Sequence, residues 1–322
     1  MKMRMLVAVL LTHAVAARLP AVDPAILRMI APDAASVAGV NVRSVKTSSA
    51  GQALLGDLQK DEKSLQELIQ ATGFDPRRDL EEIVFVSANP QDKRAGVALA
   101  AGVFDTARIL AAARGQKAQI TAYRDIDLIR LPSSQGPASF LAFPTKGIAV
   151  AGDEAGVKAA LDRRAGGAPR LDPNVEARLQ ELSANYDIWF FGTSPVDSML
   201  SRLPAPKLGG EHGKPAINAL QAIRSASGGM KLGPKALIAG EVVTRSPEDA
   251  QAVRNIVNFL AAMAQMNPED PKTKDLAAIA GTLDIKTKGS TVYLSLTAPE
   301  SAIEQLLKPQ PKQSAPRKRA DL

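Results

Sequence analysis

Carboxylate side chains are the residues of this sequence whose types and spacing come closest to an active site. Asp75, Asp79, Glu81 and Glu82 lie around one predicted turn. Two carboxyl groups that face each other across a cleft can act as general acid and general base. Turn chemistry offers a simpler interpretation, in which Asp75 caps a helix. A carboxylate-dependent hydrolase of the cell envelope is therefore kept as an alternative function, with Glu211, Asp75 or Asp79 as the acid.

A long predicted loop carries the one histidine that lies outside the first twenty residues. The loop runs from Pro204 to Pro215 and contains Glu211, His212 and Lys214. Long loops in compact domains are often functional, but a single histidine without a second histidine or a cysteine makes a poor metal site. The sequence therefore predicts a surface loop, with no metal and no cofactor.

Three consecutive aromatic residues, Trp189, Phe190 and Phe191, form the main aromatic cluster of a chain with 4% aromatic residues. On a strand, such a run places at least one ring on each face of the sheet. We predict that these rings pack in the core rather than form a platform for a ligand. Six residues remain as candidates for a groove or loop site: Glu211, His212, Lys214, Asp75, Arg77 and Trp189.

Several other chemistries are excluded because the necessary residue types are missing. The 322 residues include no cysteine, which excludes disulfides, thiolate zinc sites, iron–sulfur clusters and a cysteine nucleophile. Residues 147–154 have the glycine spacing of a phosphate loop, but acids stand where Lys and Ser or Thr are required. The sequence contains no G-x-S-x-G and no S-x-x-K motif. These absences favour a protein that is not an enzyme.

The positive charge of the chain is concentrated at its two ends. Residues 1–16, with Lys2 and Arg4 before a short apolar stretch, are typical of a secretory signal peptide. Residues 309–322 are rich in proline and predict a disordered basic tail. The two segments together carry six cations and one anion, so the formal net charge falls from +7 to +2 without them.

The basic tail predicts a contact of its own. Its cations could bind an anionic surface, which makes an adaptor the third functional hypothesis. The nearly neutral body indicates no specific nucleic-acid binding. Four residues would carry the anionic contact: Lys312, Arg317, Lys318 and Arg319.

The order of predicted elements repeats once along the chain. Residues 25–165 and residues 183–308 each follow the order strand, helix, two strands, helix, further strands and a closing helix. Residues 166–182 form a linker with a short helix. This order is typical of the split βαβ unit of ferredoxin-like domains. We therefore predict an α+β fold of two similar halves packed side by side, each a mostly antiparallel sheet with helices on one face.

Three segments give the chain a resemblance to a known group of proteins. They are Ile30 to Val42, Gly73 to Leu80 and Ala149 to Asp153, which read IAPDAASVAGVNV, GFDPRRDL and AVAGD. Behind a signal peptide, this combination resembles a group of uncharacterised exported bacterial proteins. The resemblance covers most of residues 25–308 and implies export and a duplicated α+β body. It implies no active-site residues.

These observations lead to one main hypothesis about function. We expect an exported, non-enzymatic protein of the cell envelope, either periplasmic or secreted, with a cytoplasmic location as the alternative. Its partner protein or small ligand is expected to bind between the two halves. The loop from Pro204 to Pro215 and the linker near Gly166 would border that groove.

Overall fold

The computed structural model describes residues 22–52, 62–88, 96–132, 138–166, 170–193, 214–266 and 274–307. Three predicted features lie outside these residues. They are the signal segment 1–16, the basic tail 309–322, and the loop as far as residue 213, which includes Glu211 and His212.

The described strands join into one sheet in which every neighbouring pair is antiparallel. In chain order they are β1 (Ser36–Asn41), β2 (Leu80–Ser87), β3 (Gly96–Gly102), β4 (Ile120–Tyr123), β5 (Ile126–Arg130), β6 (Phe140–Thr145), β7 (Ile148–Gly152), β8 (Ile188–Gly192), β9 (Ile223–Lys231), β10 (Lys235–Thr244), β11 (Asp284–Lys288) and β12 (Thr291–Pro299). Across the sheet the order is β11-β12-β10-β9-β8-β1-β2-β3-β7-β6-β5-β4.

Most of the described helices begin at a side chain that accepts hydrogen bonds from their first backbone N–H groups. Aspartates fill this role at residues 23, 75, 105, 153 and 172, and Ser246 fills it for the longest helix. In chain order the helices are α1 (Pro24–Leu27), α2 (Val42–Thr47), α3 (Glu62–Thr72), α4 (Pro76–Asp79), α5 (Thr106–Gly115), α6 (Glu154–Arg164), α7 (Pro173–Asn185), α8 (Lys214–Gln221), α9 (Pro247–Gln265), α10 (Lys274–Ala280) and α11 (Glu300–Leu307).

The register of the sheet assigns each strand residue to one of two faces. Paired residues of neighbouring strands point to the same face, and successive residues point to opposite faces. Gly39 of β1 pairs with Trp189 of β8, whereas Ala38 of β1 pairs with Phe85 of β2. We call the two sides of the sheet the Trp189 face and the Phe85 face.

The Trp189 face carries a continuous core beneath α1, α6 and α7. Ile26, Leu161 and Leu179 from these helices are fully buried and belong to the same cluster as Trp189. The indole ring occupies the space above Gly39, where an added Cβ atom would lie 2.2 Å from the ring. Only glycine therefore fits at this point of β1.

The Phe85 face carries three smaller cores, each under its own helices. One lies under α5, a second under α8 and α9, and a third under α10 and α11. Between them, Phe85 is 52% exposed. Their buried members include Ile109, Ile129 and Ala149 in the first, Ala219, Ala250, Val253 and Val292 in the second, and Ile279 and Ile303 in the third.

The α+β class and the antiparallel sheet are as the sequence predicts, but the helices cover both faces rather than one. In β7, Ala149 belongs to the core under α5, and the adjacent Val150 belongs to the core under α6. The uninterrupted apolar sequence of β7 reflects this, because a strand covered on both sides lacks the alternation of a half-exposed strand. The ferredoxin-like arrangement of each half is not confirmed.

Candidate functional site

A groove of about 730 Å³ lies between α3 and α5 on the Phe85 face. Ile129 of β5 and Leu141 of β6 are paired residues on this face, and they line the bottom of the groove between the two helices. The remaining lining residues are Ser64, Glu67, Leu68, Ala71 and Thr72 from α3, Ile109, Ala112 and Ala113 from α5, and Gln116, Lys117, Ala118, Gln119, Arg130, Leu131, Pro132 and Ala138 from the segments around the strands.

The wall formed by α3 is unusual because this helix has no buried residue. Its lining residues recur at three- and four-residue spacing, so they form one stripe along the helix. From Ser64 to Thr72 the stripe is about 12 Å long, at about 1.5 Å per residue. Leu68 in the middle of the stripe is 40% exposed. On this stripe Leu68 and Ala71 form an apolar patch between the polar residues Ser64, Glu67 and Thr72, and no described side chain buries it.

The opposite wall, α5, is fixed to the end of α3 by hydrogen bonds. Asp105 caps α5 by accepting from the backbone N–H of Arg108 at 3.0 Å. The Arg108 guanidinium in turn donates to the carbonyl of Gln70 at 2.7 Å, near the C-terminus of α3. Gly73 follows α3 with φ of +74°, and an added Cβ atom there would lie 3.0 Å from Arg108. Glycine therefore both ends α3 and leaves room for the arginine that joins α5 to α3.

The rim of the groove is charged. Lys117 follows the C-terminus of α5 and Arg130 is the last residue of β5, so both lie at the same end of the groove. Glu67 lies on α3. Glu67 is paired with Lys63 at 4.0 Å, and Arg130 donates to the Gln119 side-chain oxygen at 3.0 Å. The groove therefore combines an apolar floor at Ile129 and Leu141 with polar and charged groups along both walls.

The carboxylates of the turn before β2 act within the turn. Asp75 accepts from the backbone N–H of Arg77 at 3.0 Å, and the guanidinium of Arg77 binds the same carboxylate. Asp79 accepts from the backbone N–H of Asp75 at 2.8 Å and is held by Arg78. The hydrogen bonds from Arg77 and Arg78 keep the pKa values of Asp75 and Asp79 below their usual range. Both groups therefore remain charged near neutral pH, which suits capping better than proton donation.

Glu82 is the carboxylate whose environment is most unusual. Burial raises its pKa to about 7, and its main hydrogen bond is from the backbone N–H of Asp23 at 3.4 Å. The side chain lies on the Trp189 face, because Glu82 pairs with Asn41 and Ala101. A small cavity of about 280 Å³ adjoins it.

Glu81 and Glu82 are adjacent acids at the start of β2, where the register with β3 shifts between Leu80 and Glu82. Such an irregularity interrupts the alternation of a strand, so the sequence pattern alone does not show which acid faces the core. Glu81 pairs with Arg43, and both line the same small cavity as Glu82. Sequence reasoning named Glu82 among the carboxylates but did not select it as a site residue.

The junction between β1 and β8 is packed. Trp189 is 2% exposed and belongs to the core, as the sequence predicts. The two strands are joined by hydrogen bonds from Ser36 to Val40. Trp189 lines neither the α3–α5 groove nor the small cavity at Glu82. A ligand between the halves stays a prediction.

The loop candidates fall largely outside the described residues. Glu211 and His212 lie outside the described residues, and Lys214 is the first residue of α8. Asp75 and Arg77 pair with each other and do not line the groove. Of the six sequence-selected residues, Asp75, Arg77 and Trp189 are absent from the described lining of the α3–α5 groove.

A polar cavity of about 360 Å³ lies on the Trp189 face beside α7. Its central group is Arg178, which donates to the Ser227 hydroxyl at 3.0 Å and pairs with Glu241 at 3.0 Å and with Glu181 at 2.7 Å. Burial raises the pKa of the Tyr186 phenol on the same wall. Because Arg178 is already paired with two glutamates, it is less available to a ligand than the cations of the groove, which form no ion pair among the described residues.

Two further features were sought among the described residues. Within them, no group of three or more histidine or acidic side chains is placed to hold a metal ion. No helix in the described ranges combines the length and the apolarity needed to cross a membrane.

The chain was also compared with known proteins. It matches no protein-family model and no curated protein sequence. Among solved structures, it is similar to crystal form I of TP0453, with a TM-score of 0.49 and 10% sequence identity. That alignment covers 90% of this chain and 98% of the other.

Proposed function

We propose that this protein is an exported, non-enzymatic binding protein of the cell envelope, and that the α3–α5 groove holds a small apolar ligand. The observation that carries this proposal is the apolar groove of about 730 Å³ itself. The signal-like sequence of residues 1–16 supports export. The hydrolase and the basic-tail adaptor stay predictions.

The dimensions and the composition of the groove support a ligand site. Cavities that bind small molecules usually measure about 300–1,000 Å³ and are mostly apolar. Leu68, Ile109, Ile129 and Leu141 supply the apolar surface here. Leu68 is 40% exposed. Covering its apolar surface with a ligand would contribute favourably to the free energy of binding.

The order of strands supports a second part of the proposal, an internal duplication. Outward from the β1–β8 pair, one side runs β1-β2-β3-β7-β6 and the other runs β8-β9-β10-β12-β11. In both directions the strands follow the same chain order, with the last two exchanged. We therefore propose two related halves that share a continuous sheet, with β5 and β4 added at one edge.

The groove is tested by filling it from α5. Ala112 lines the groove, whereas the adjacent Ala111 is exposed and does not line it. The fluorescence of the apolar dye N-phenyl-1-naphthylamine, which rises on entering an apolar site, measures binding to the full chain. We expect the unmodified chain and Ala111→Trp to bind the dye, and Ala112→Trp to bind it at least several-fold more weakly.

Two results would overturn this proposal. The first is an unmodified chain that does not bind the dye. The second is equal dye binding by Ala112→Trp and Ala111→Trp, which would place the dye elsewhere on the protein. Far-ultraviolet circular dichroism of both variants verifies that each is folded before binding is compared.

A further inference from the structure

We infer that the ligand of the α3–α5 groove has one apolar chain and an anionic end, which lies beside Lys117 and Arg130. This inference rests on the proposed function and adds the charge of the ligand to it. The evidence is the position of the two cations and the absence of anionic partners for them among the described residues.

The two cations are held at the same end of the groove. The backbone N–H of Arg130 donates to the carbonyl of Gln119 at 2.9 Å, and its guanidinium donates to the Gln119 side chain at 3.0 Å. Lys117 lies two residues before Gln119, with φ of +57°, and its backbone N–H donates to the carbonyl of Arg114 at 2.9 Å. Gln119 thus holds Arg130 near the turn that carries Lys117.

Neither cation has a carboxylate within 4 Å in the described part of the chain. The side-chain partner of Arg130 is a neutral amide. By contrast, the nearby Arg114 lies 3.9 Å from Asp127. Lys117 and Arg130 therefore keep their charge available to a ligand, whereas Arg114 shares its charge with an acid.

The other charges near this end do not cancel that preference. The C-terminus of α5 carries partial negative charge, but its last carbonyls already accept hydrogen bonds from the backbone of Gln116 and Ala118. Glu67, the one acid that lines the groove, lies on α3 and is shared with Lys63 at 4.0 Å. An anionic end beside Lys117 and Arg130 is therefore favoured over a cationic one.

The expected preference is modest because both cations are exposed to solvent. An exposed ion pair contributes about 0.2–1 kcal/mol in general, so two of them should favour an anion about 2- to 30-fold. The preference should shrink in high salt, because salt screens charges at the surface.

Three competitors with the same apolar chain and different end groups separate the effect of the charge on binding from the effect of the chain. Decanoate, decanol and decyltrimethylammonium share an apolar chain of the same length and carry an anionic, a neutral and a cationic end. Each displaces N-phenyl-1-naphthylamine from the full chain at low salt, below its micelle concentration. We expect decanoate to compete at the lowest concentration and decyltrimethylammonium at the highest.

Single substitutions then assign the preference to the two cations. Lys117→Gln and Arg130→Gln should each lower the advantage of decanoate over decanol by about 2- to 3-fold. Arg114→Gln is the matched control, since Arg114 is an exposed cation of the same region that does not line the groove. Arg114→Gln should leave the preference for decanoate over decanol unchanged.

The outcomes distinguish the two proposals. If the dye does not bind, the proposed function fails and the charge preference fails with it. If the dye binds but the three competitors displace it equally, or the cation competes best, the groove stands and the anionic ligand is overturned. An anionic preference that Arg114→Gln lowers as much as Arg130→Gln would show general surface charge and would also overturn the inference.

Discussion

The two faces of the central strands differ in how completely they are packed. On the Trp189 face, helices α1, α6 and α7 bury the side chains of β1, β2 and β8 in a single cluster. On the Phe85 face, the helices form three separate clusters, and the central Phe85 is 52% exposed. The α3–α5 groove belongs to this second face.

This difference supports the proposed binding surface without reference to catalytic residues. A packed interior has few voids larger than a water molecule. The cavities on the Trp189 face at Arg178 and at Glu82, of about 360 and 280 Å³, are smaller than the α3–α5 groove of about 730 Å³. The Phe85 face has space because α3 lies over the sheet without burying any of its own side chains. The proposed site therefore lies where packing is incomplete.

Two aromatic residues on opposite faces give the strongest test of this comparison. Trp189 is 2% exposed and Phe85 is 52% exposed, although they lie on strands that flank β1. Trp189→Ala should lower the free energy of unfolding by about 3–5 kcal/mol, because it removes a buried ring and leaves a cavity. Phe85→Ala should lower it by less than about 1 kcal/mol. Urea unfolding followed by circular dichroism measures both.

Similar losses in the two variants would contradict the assignment of the faces. Gly39→Ala provides an independent measurement on the filled face. Its new Cβ atom would lie 2.2 Å from the Trp189 ring, so this small substitution should also be destabilising.

The features that could be predicted from the sequence are those encoded in short stretches. The aromatic run at Trp189 predicts a core position, and Asp75 before Pro76 predicts a helix cap; both are found. The groove is different, because its lining comes from α3, α5, β5 and β6. Leu68 and Ile109 each look like ordinary residues of an amphipathic helix, and only the tertiary arrangement shows that Leu68 is left uncovered.

Glu82 offers a pH-dependent test of the filled face. Burial raises the pKa of Glu82 to about 7 in the folded protein, above the ordinary glutamate value of about 4.5. The folded protein therefore holds this proton more tightly than the unfolded chain, and stability should fall as pH rises from about 4.5 to about 7. Glu82→Gln keeps the shape and removes the charge. At about pH 8 it should be more stable than the unmodified chain by about 2–3 kcal/mol.

Comparing the stability of the unmodified chain and Glu82→Gln at lower pH tests whether the ionisation of Glu82 causes the difference. At about pH 4 the carboxyl is protonated in the folded protein, so the two chains should have nearly equal stability. Glu81→Gln is the matched control, since Glu81 is the adjacent acid and its carboxylate is paired with Arg43. A stability gain for Glu82→Gln that is the same at both pH values would contradict a buried ionisation.

The smallest effect is expected from one substitution made at two places on the Phe85 face. Ala250 of α9 is fully buried beside Val253 and Val292, whereas Ala112 of α5 lines the groove. Ala250→Leu must displace its neighbours and should cost about 1–3 kcal/mol. Ala112→Leu extends into open space and should change stability by less than about 0.5 kcal/mol. It should also weaken binding of N-phenyl-1-naphthylamine, because the added side chain occupies the volume that the dye requires. Equal destabilisation by both substitutions would mean that α3 and α5 pack as closely as α8 and α9 in solution, which would remove the groove.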